Sequence, residues 1–271
     1  MRMRKILRYS VAQLRPYINW IYFFHAWSMN GKPEEERQSL RRDAEDLLSS
    51  WQGRCEGRAV FALFDANSDG DDIVTDDGRI PLLRQQHSGS EPNLCLADFV
   101  KPLSMGEKDT IGVFATTVDA PVSDAASDPY ASLLSQTLAD RLAEATTELM
   151  HLEVRRNYWG YAPDEHLSID DLLSERFQGI RPAVGYPSMP DASMNFDFDS
   201  LIDFSSIGIS LTESGMMLPH ASVSGLMFAH PKSRYFTLGP IGEDQLKDYA
   251  RRRGKSADEL RRFLQANLNN N

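Results

Sequence analysis

Residues 65–76, DANSDGDDIVTD, admit two incompatible readings, and the choice between them decides the fold. As a calcium loop, Asp65, Asn67 and Asp69 would be alternate ligands, Gly70 the sharp turn and Asp76 the closing residue. An EF-hand, however, needs a helix on each side, an apolar eighth residue and normally a bidentate glutamate at the twelfth. Here those positions are Asp72 and Asp76. The preceding AVFALF (59–64) is strand-like, and the following DDGRIPLL (76–83) carries Gly and Pro where a helix should begin. The stretch therefore reads as a hairpin, with Asn67 to Gly70 turning the chain between FALF and DDIVT.

Working outward, the β-branched and aromatic runs GRAVFALF (57–64), DIVT (72–75), NLCLADFV (93–100) and DTIGVFATTV (109–118) predict strands. Upstream, LRPYINWIYFFHAWSM (14–29) predicts an aromatic, buried helix. EEERQSLRRDAEDLLSSW (34–51) predicts another, with Leu40, Ala44, Leu47, Leu48 and Trp51 on one face. Downstream, Asp128 and Pro129 cap and open a long helix with an apolar stripe from Leu133 to Leu152. A short helix opens at Ser168, and strands are expected at IGISLT (207–212), ASVSGLMF (221–228) and RYFTLG (234–239). Two terminal helices are separated by Gly254, the second opened by a capping box from Ser256 to Glu259. This order predicts an α+β fold in one domain, residues 1–271, with a twisted, mostly antiparallel sheet flanked by helices. No G-x-G-x-x-G supports a Rossmann-type nucleotide site.

A net charge of -10 argues against a nucleic-acid partner, and 41% hydrophobic residues mark a globular chain. Cys55 and Cys95 are the only cysteines and lie in no C-x-x-C, so neither a disulfide framework nor a structural zinc site is expected. The basic start, MRMRKILRYS, lacks the apolar run of a signal peptide, and no run approaches a membrane span, which predicts a cytoplasmic protein without membrane contact. DEHLSI (164–169) begins like the D-x-H-x-x-G that seats a histidine under a corrinoid cobalt, but Ile169 replaces the glycine.

The chemistry concentrates in FQGIRPAVGYPSMPD (177–191). Its Pro and Gly residues hold an extended backbone that presents the guanidinium of Arg181 and the phenol of Tyr186. Glu175 ends the short helix before it, Glu144 lies beside the stripe of the long helix, and Tyr235 and Phe236 follow on a predicted strand. Such a set suits a ligand carrying a carboxylate, a cation and an aromatic ring. Taken singly, each residue also has a structural reading: Arg181 as a turn stabiliser, Glu144 as a solvated helix charge, Tyr235 as sheet packing.

YINWIYFFHAWSM, LADRLAEA, YWGYAPDEHLS, QGIRPAVGYP, LTES and ASVSGLMFAHPKSRYF occur in an order that resembles the C-terminal activation domain of cobalamin-dependent methionine synthase. The resemblance runs from about Leu14 to about Leu268. It implies a groove that binds S-adenosylmethionine and presents it to the cobalamin of a partner module, or of another corrinoid protein. A flavodoxin-like donor would supply the electron for reductive remethylation. The domain would thus be part of methionine synthase without methylating homocysteine alone, and no catalytic residue or metal is implied. By the same resemblance Arg181 clamps the methionyl carboxylate, and the backbone from Ala183 to Gly185 contacts the adenine end. Tyr186, Tyr235 and Phe236 line the groove, and Glu144 and Glu175 lie near the sulfonium. Two features depart from the family. Asn19 stands where it has an aspartate, and the homocysteine, folate and cobalamin modules of the longer enzyme are absent from these 271 residues. The initial methionine and the NLNNN tail (267–271) suggest a natural separate chain. The departures also leave room for a diverged corrinoid-docking module or S-adenosylmethionine sensor.

If the hairpin reading holds, millimolar calcium will raise the melting temperature no more than equimolar magnesium does. A calcium-specific rise abolished by Asp65→Ala would restore the calcium loop.

Overall fold

The computed structural model describes residues 1–86, 89, 92–121 and 127–268, so all but Asn267 and Leu268 of the NLNNN tail lies outside the described residues. The chain opens with β1 (Met3–Ser10), α1 (Val11–Leu14), α2 (Trp20–Ala26) and α3 (Glu34–Ser50), then forms β2 (Glu56–Asp69), β3 (Asp72–Thr75), β4 (Gly78–Pro81) and β5 (Asp109–Val118). There follow α4 (Pro129–Glu153), α5 (Ile169–Leu173), α6 (Met194–Ile202), β6 (Ser210–Leu211), β7 (Met217–Leu218), β8 (Ser222–Met227), α7 (Glu243–Arg253) and α8 (Ala257–Phe263).

The long strand β2 organises the sheet. It pairs with β1 and then β3 along one side and with β5 along the other, giving the antiparallel order β4-β3-β2-β5-β8 with β1 beside β2. Its period-2 alternation sends Ala59, Phe61 and Leu63 to one face and Val60, Ala62 and Phe64 to the other. Both faces are covered, by α1 to α4 on the first and by α6 with its neighbouring loops on the second. Fully buried side chains such as Phe61, Phe64 and Phe114 each contribute about 1.5–3 kcal/mol. Helices α7 and α8 form a third cluster with Leu83, Leu238 and Ile241.

Residues 65–76 form the hairpin. Asp69 pairs with Asp72, Gly70 takes φ +62° in the turn, and the backbone continues into β3. The acids that resembled ligands are held by basic side chains: Arg2 lies 3.2 Å from Asp65, Arg79 2.7 Å from Asp69 and Lys108 3.3 Å from Asp76.

Several elements differ from expectation. The helix over 14–29 is broken, because Pro16 sits in a 3-10 turn (Arg15–Tyr17) and Asn19, with ψ 96°, restarts the chain as the N-cap of α2. NLCLADFV closes into a 3-10 turn at Leu96–Phe99, where the Asp98 carboxylate accepts the Cys95 N–H. RYFTLG forms no ladder, and its Leu238 N–H instead donates to the Pro187 carbonyl at 2.8 Å. IGISLT shrinks to β6 behind a 3-10 turn (Phe204–Ile207). Strand β1, β4 and helix α6 escaped the pattern reading. In α6 the core residues Met194, Phe198 and Ile202 fall every fourth position.

A buried ion network pins α7 against the chain that follows the Pro- and Gly-rich loop. Arg253 bonds Asp191 at 2.7 Å and also reaches Asp197, while the Tyr249 hydroxyl donates to Asp191 at 2.9 Å. Arg253 and Asp191 have side-chain exposures of 2% and 1%. Arg253→Ala, which strands a buried carboxylate, is expected to cost about 3–5 kcal/mol in denaturant unfolding. Arg251→Ala, on the exposed face of the same helix, should change little.

Candidate functional site

Residues 180–184 extend the sheet beyond β8. Ile180 and Phe228 exchange both backbone hydrogen bonds, at 3.0 and 2.9 Å, and the Leu226 N–H donates to the Pro182 carbonyl at 3.0 Å. The Val184 N–H then donates to the Ser224 carbonyl at 2.9 Å. Proline tolerates this register because only its carbonyl faces β8. The contact also requires Gly225, where a Cβ would lie 2.2 Å from the Pro182 carbonyl oxygen. IRPAV (180–184) therefore pairs antiparallel with the segment 224–228. Arg181 and Ala183 consequently direct their own N–H groups away from β8, and that of Arg181 donates to the Tyr235 hydroxyl at 3.1 Å.

Opposite this edge runs α4, whose helical repeat carries Glu144, Glu148, His151 and, through a π-helical turn at Val154–Tyr158, Arg155 along one side. Between the edge and α4 lies a groove of about 800 Å³. Of the residues expected from the sequence, Asn19, Glu144, Glu175, Arg181, Ala183, Tyr186, Tyr235 and Phe236 line it together. Gly185 does not; at φ +84° it turns the chain, donating to the Met189 carbonyl at 2.8 Å.

The Arg181 guanidinium pairs with Glu148, whose side chain is 5% exposed. Burial works against the Arg181 charge, but Glu148, Tyr235, Glu144 and Glu175 around it hold its pKa above the ordinary arginine value. The Tyr186 hydroxyl donates to Glu144 at 3.1 Å, and that carboxylate, together with burial, pushes the phenol up to about 12. Glu175 stays in contact with solvent, yet loss of water in the groove, opposed by Arg181 and reinforced by Glu148 and Glu144, raises its pKa. Its backbone is also held at φ +56°, a strained conformation for a non-glycine residue.

Sequence reasoning missed Glu148, one helical turn beyond Glu144 in the otherwise uncharged TTELM; that spacing was the available signal. It also missed the buried layer behind the groove, where Arg155 bonds Glu165 at 2.7 Å and its guanidinium lies 3.9 Å from the centre of the Phe177 ring. Asn19 lines the groove but has a structural task as well. Its side-chain oxygen accepts the N–H groups of Ile21 and Tyr22, at 3.1 and 3.3 Å.

A curled antiparallel sheet with helices on both faces is the fold of a methionine synthase activation domain. The chain belongs to the family described as vitamin B12 dependent methionine synthase, activation domain, whose model matches residues 10–254. A crystal structure described as the MetH reactivation domain bound to AdoHcy is 39% identical, with a TM-score of 0.92, and the match covers 100% of this chain and 91% of that one.

The crowding of acids has a consequence for stability. A carboxylate whose folded pKa is raised destabilises the fold wherever it is ionised; the cost is full above the folded pKa and vanishes below the unfolded value near 4.5. Glu175→Gln should therefore raise the melting temperature of the ligand-free protein at neutral pH. The gain should disappear below about pH 4 in a pH series of thermal melts.

Proposed function

We propose that the groove binds S-adenosylmethionine and presents its methyl group to a cobalamin carried by a partner. The observation that carries this reading is the grouping around Arg181: its guanidinium, with Arg141 also on the lining, the carboxylates of Glu144, Glu148 and Glu175, and the rings of Tyr186, Tyr235 and Phe236 in a single open groove. A ligand with a carboxylate, an ammonium, a sulfonium and an adenine ring uses each of these. The guanidinium meets the carboxylate, the acids meet the cations, and aromatic faces receive the sulfonium and the base. Support comes also from the AdoHcy named for the 39%-identical structure.

The chain's contribution in this reading is orientation. Arg181 and the acids fix the amino-acid end, and the Ala183–Gly185 backbone and the aromatic rings fix the nucleoside. The accepting cobalt and the reducing electron come from outside, from a cobalamin-binding module or other corrinoid protein and from a flavodoxin-like donor, in a cytoplasmic setting. Among the described residues no helix is long and apolar enough to cross a membrane.

The alternative, a docking module or sensor that no longer supports reactivation, drew its case partly from Asn19. Its amide still caps α2 as an aspartate would, but brings no negative charge to the groove that it lines.

Calorimetry with S-adenosylmethionine, followed by remethylation assays with a cobalamin protein and a reductant, tests the proposal. Arg181→Lys retains a cation beside Glu148 but loses the planar fork, and should weaken binding about tenfold or more while the protein stays folded. Unchanged affinity would place the ligand elsewhere.

A further inference from the structure

The Arg181–Glu148 pair is only half made. One bond joins the Nη2 of Arg181 to the Oε2 of Glu148. The Arg181 Nε and the Glu148 Oε1 are both buried and have no hydrogen-bond partner. Leaving a charged donor and a charged acceptor buried and unsatisfied is costly, so their joint occurrence at a groove wall calls for an explanation. Simple structural pairing does not provide one, because the two free atoms belong to residues already in contact and could have satisfied each other in a bidentate bridge. Glu148 lines the groove, its side chain is 5% exposed, and it reaches inward from α4 opposite the Arg181 strand. A carboxylate also turns easily about its terminal torsion, so either oxygen can be presented to the groove.

A free donor beside a free acceptor is the complement of a zwitterion, in which a carboxylate and an ammonium share one carbon. We infer that Glu148 is a binding residue for the α-ammonium of the ligand, and that with Arg181 it forms a two-point receptor for an α-amino acid. This rests on the reading of the groove as an S-adenosylmethionine site and adds to it a residue and a specificity. The other acids are less suited. Glu144 is engaged by the Tyr186 hydroxyl, and Glu175 stands at the exposed lip, whereas Glu148 alone of the three is bonded to Arg181.

The test is calorimetric and uses the full chain, with S-adenosylmethionine, S-adenosylhomocysteine and the analogue of the latter in which hydrogen replaces the amino group. Wild type should bind S-adenosylhomocysteine at least about tenfold more tightly than the analogue, as expected for a charge-assisted bond. Glu148→Gln, which preserves shape, should weaken both amino-acid ligands by a similar factor and leave the analogue within about twofold. Equal weakening of all three ligands would mean that Glu148 acts only by orienting Arg181, and would overturn the assignment. So would a wild type indifferent to the amino group, a result that needs no folded variant. Failure of wild type to bind any of the three would instead refute the S-adenosylmethionine reading itself.

Discussion

The backbone pairing of residues 180–184 with β8 is the contact to which the rest of the site is referred. It converts a Pro- and Gly-rich loop, which would otherwise be the least ordered part of the chain, into an added sheet edge with a fixed register. That register decides which groups face the core and which face outward. Ile180, Pro182 and Val184 turn their backbone groups to β8, while Arg181 and Ala183 turn theirs away. The close approach depends on one missing atom, the Cβ of Gly225. At its far end the same stretch is fastened by Asp191 to Arg253 and Tyr249, so the groove wall is anchored to the sheet on one side and to α7 on the other.

Across the groove, the charge arrangement is poor for stability. Glu144, Glu148 and Glu175 converge on a single arginine, and Glu175 pays additionally with a left-handed backbone. A protein selected only to fold would place apolar residues here. The surplus of negative charge is intelligible if a cationic ligand completes it, because bound cations lower the free energy of carboxylates that the empty groove leaves in mutual repulsion.

The legibility of this fold in its sequence follows physical lines. The hairpin at 65–76, the strands β2, β5 and β8 and the helices α3, α4, α7 and α8 were readable because period and punctuation agree there. The failures have causes. In NLCLADFV the strand-forming composition lost to local capping by Asp98, and in 14–29 the helical composition lost to Pro16 and Asn19. Strand β1 was hidden by its basic residues, which are what an edge strand needs to resist pairing with other chains. The groove residues were readable only through family resemblance. Their grouping depends on elements far apart in sequence, and no local pattern states that Glu148 will meet Arg181.

The layer behind the groove explains why the π-helical turn is present. An unbroken α-helix would continue the repeat of α4 smoothly; the extra residue per turn at Val154–Tyr158 re-aims the chain as Arg155 enters the interior, where it is fully buried. Arg155 can only donate, so the Nδ1 of His151, 2.9 Å away, must accept, and the ring carries its proton on Nε2. Burial, then Arg155 and Arg181, hold the His151 pKa well below its ordinary value and keep the ring neutral. The Nε2–H then faces the Tyr161 oxygen at 3.4 Å, and the Tyr161 hydroxyl donates to the Gln178 carbonyl at 3.3 Å. Every donor in this series points the same way, from the Glu165–Arg155 pair toward the backbone that leads into Arg181. A protonated His151 would have no acceptor to offer Arg155 and would break the first link. The neutrality of one buried histidine thus keeps Arg155, His151, Tyr161 and the Gln178 carbonyl in one continuous hydrogen-bonded series behind the groove.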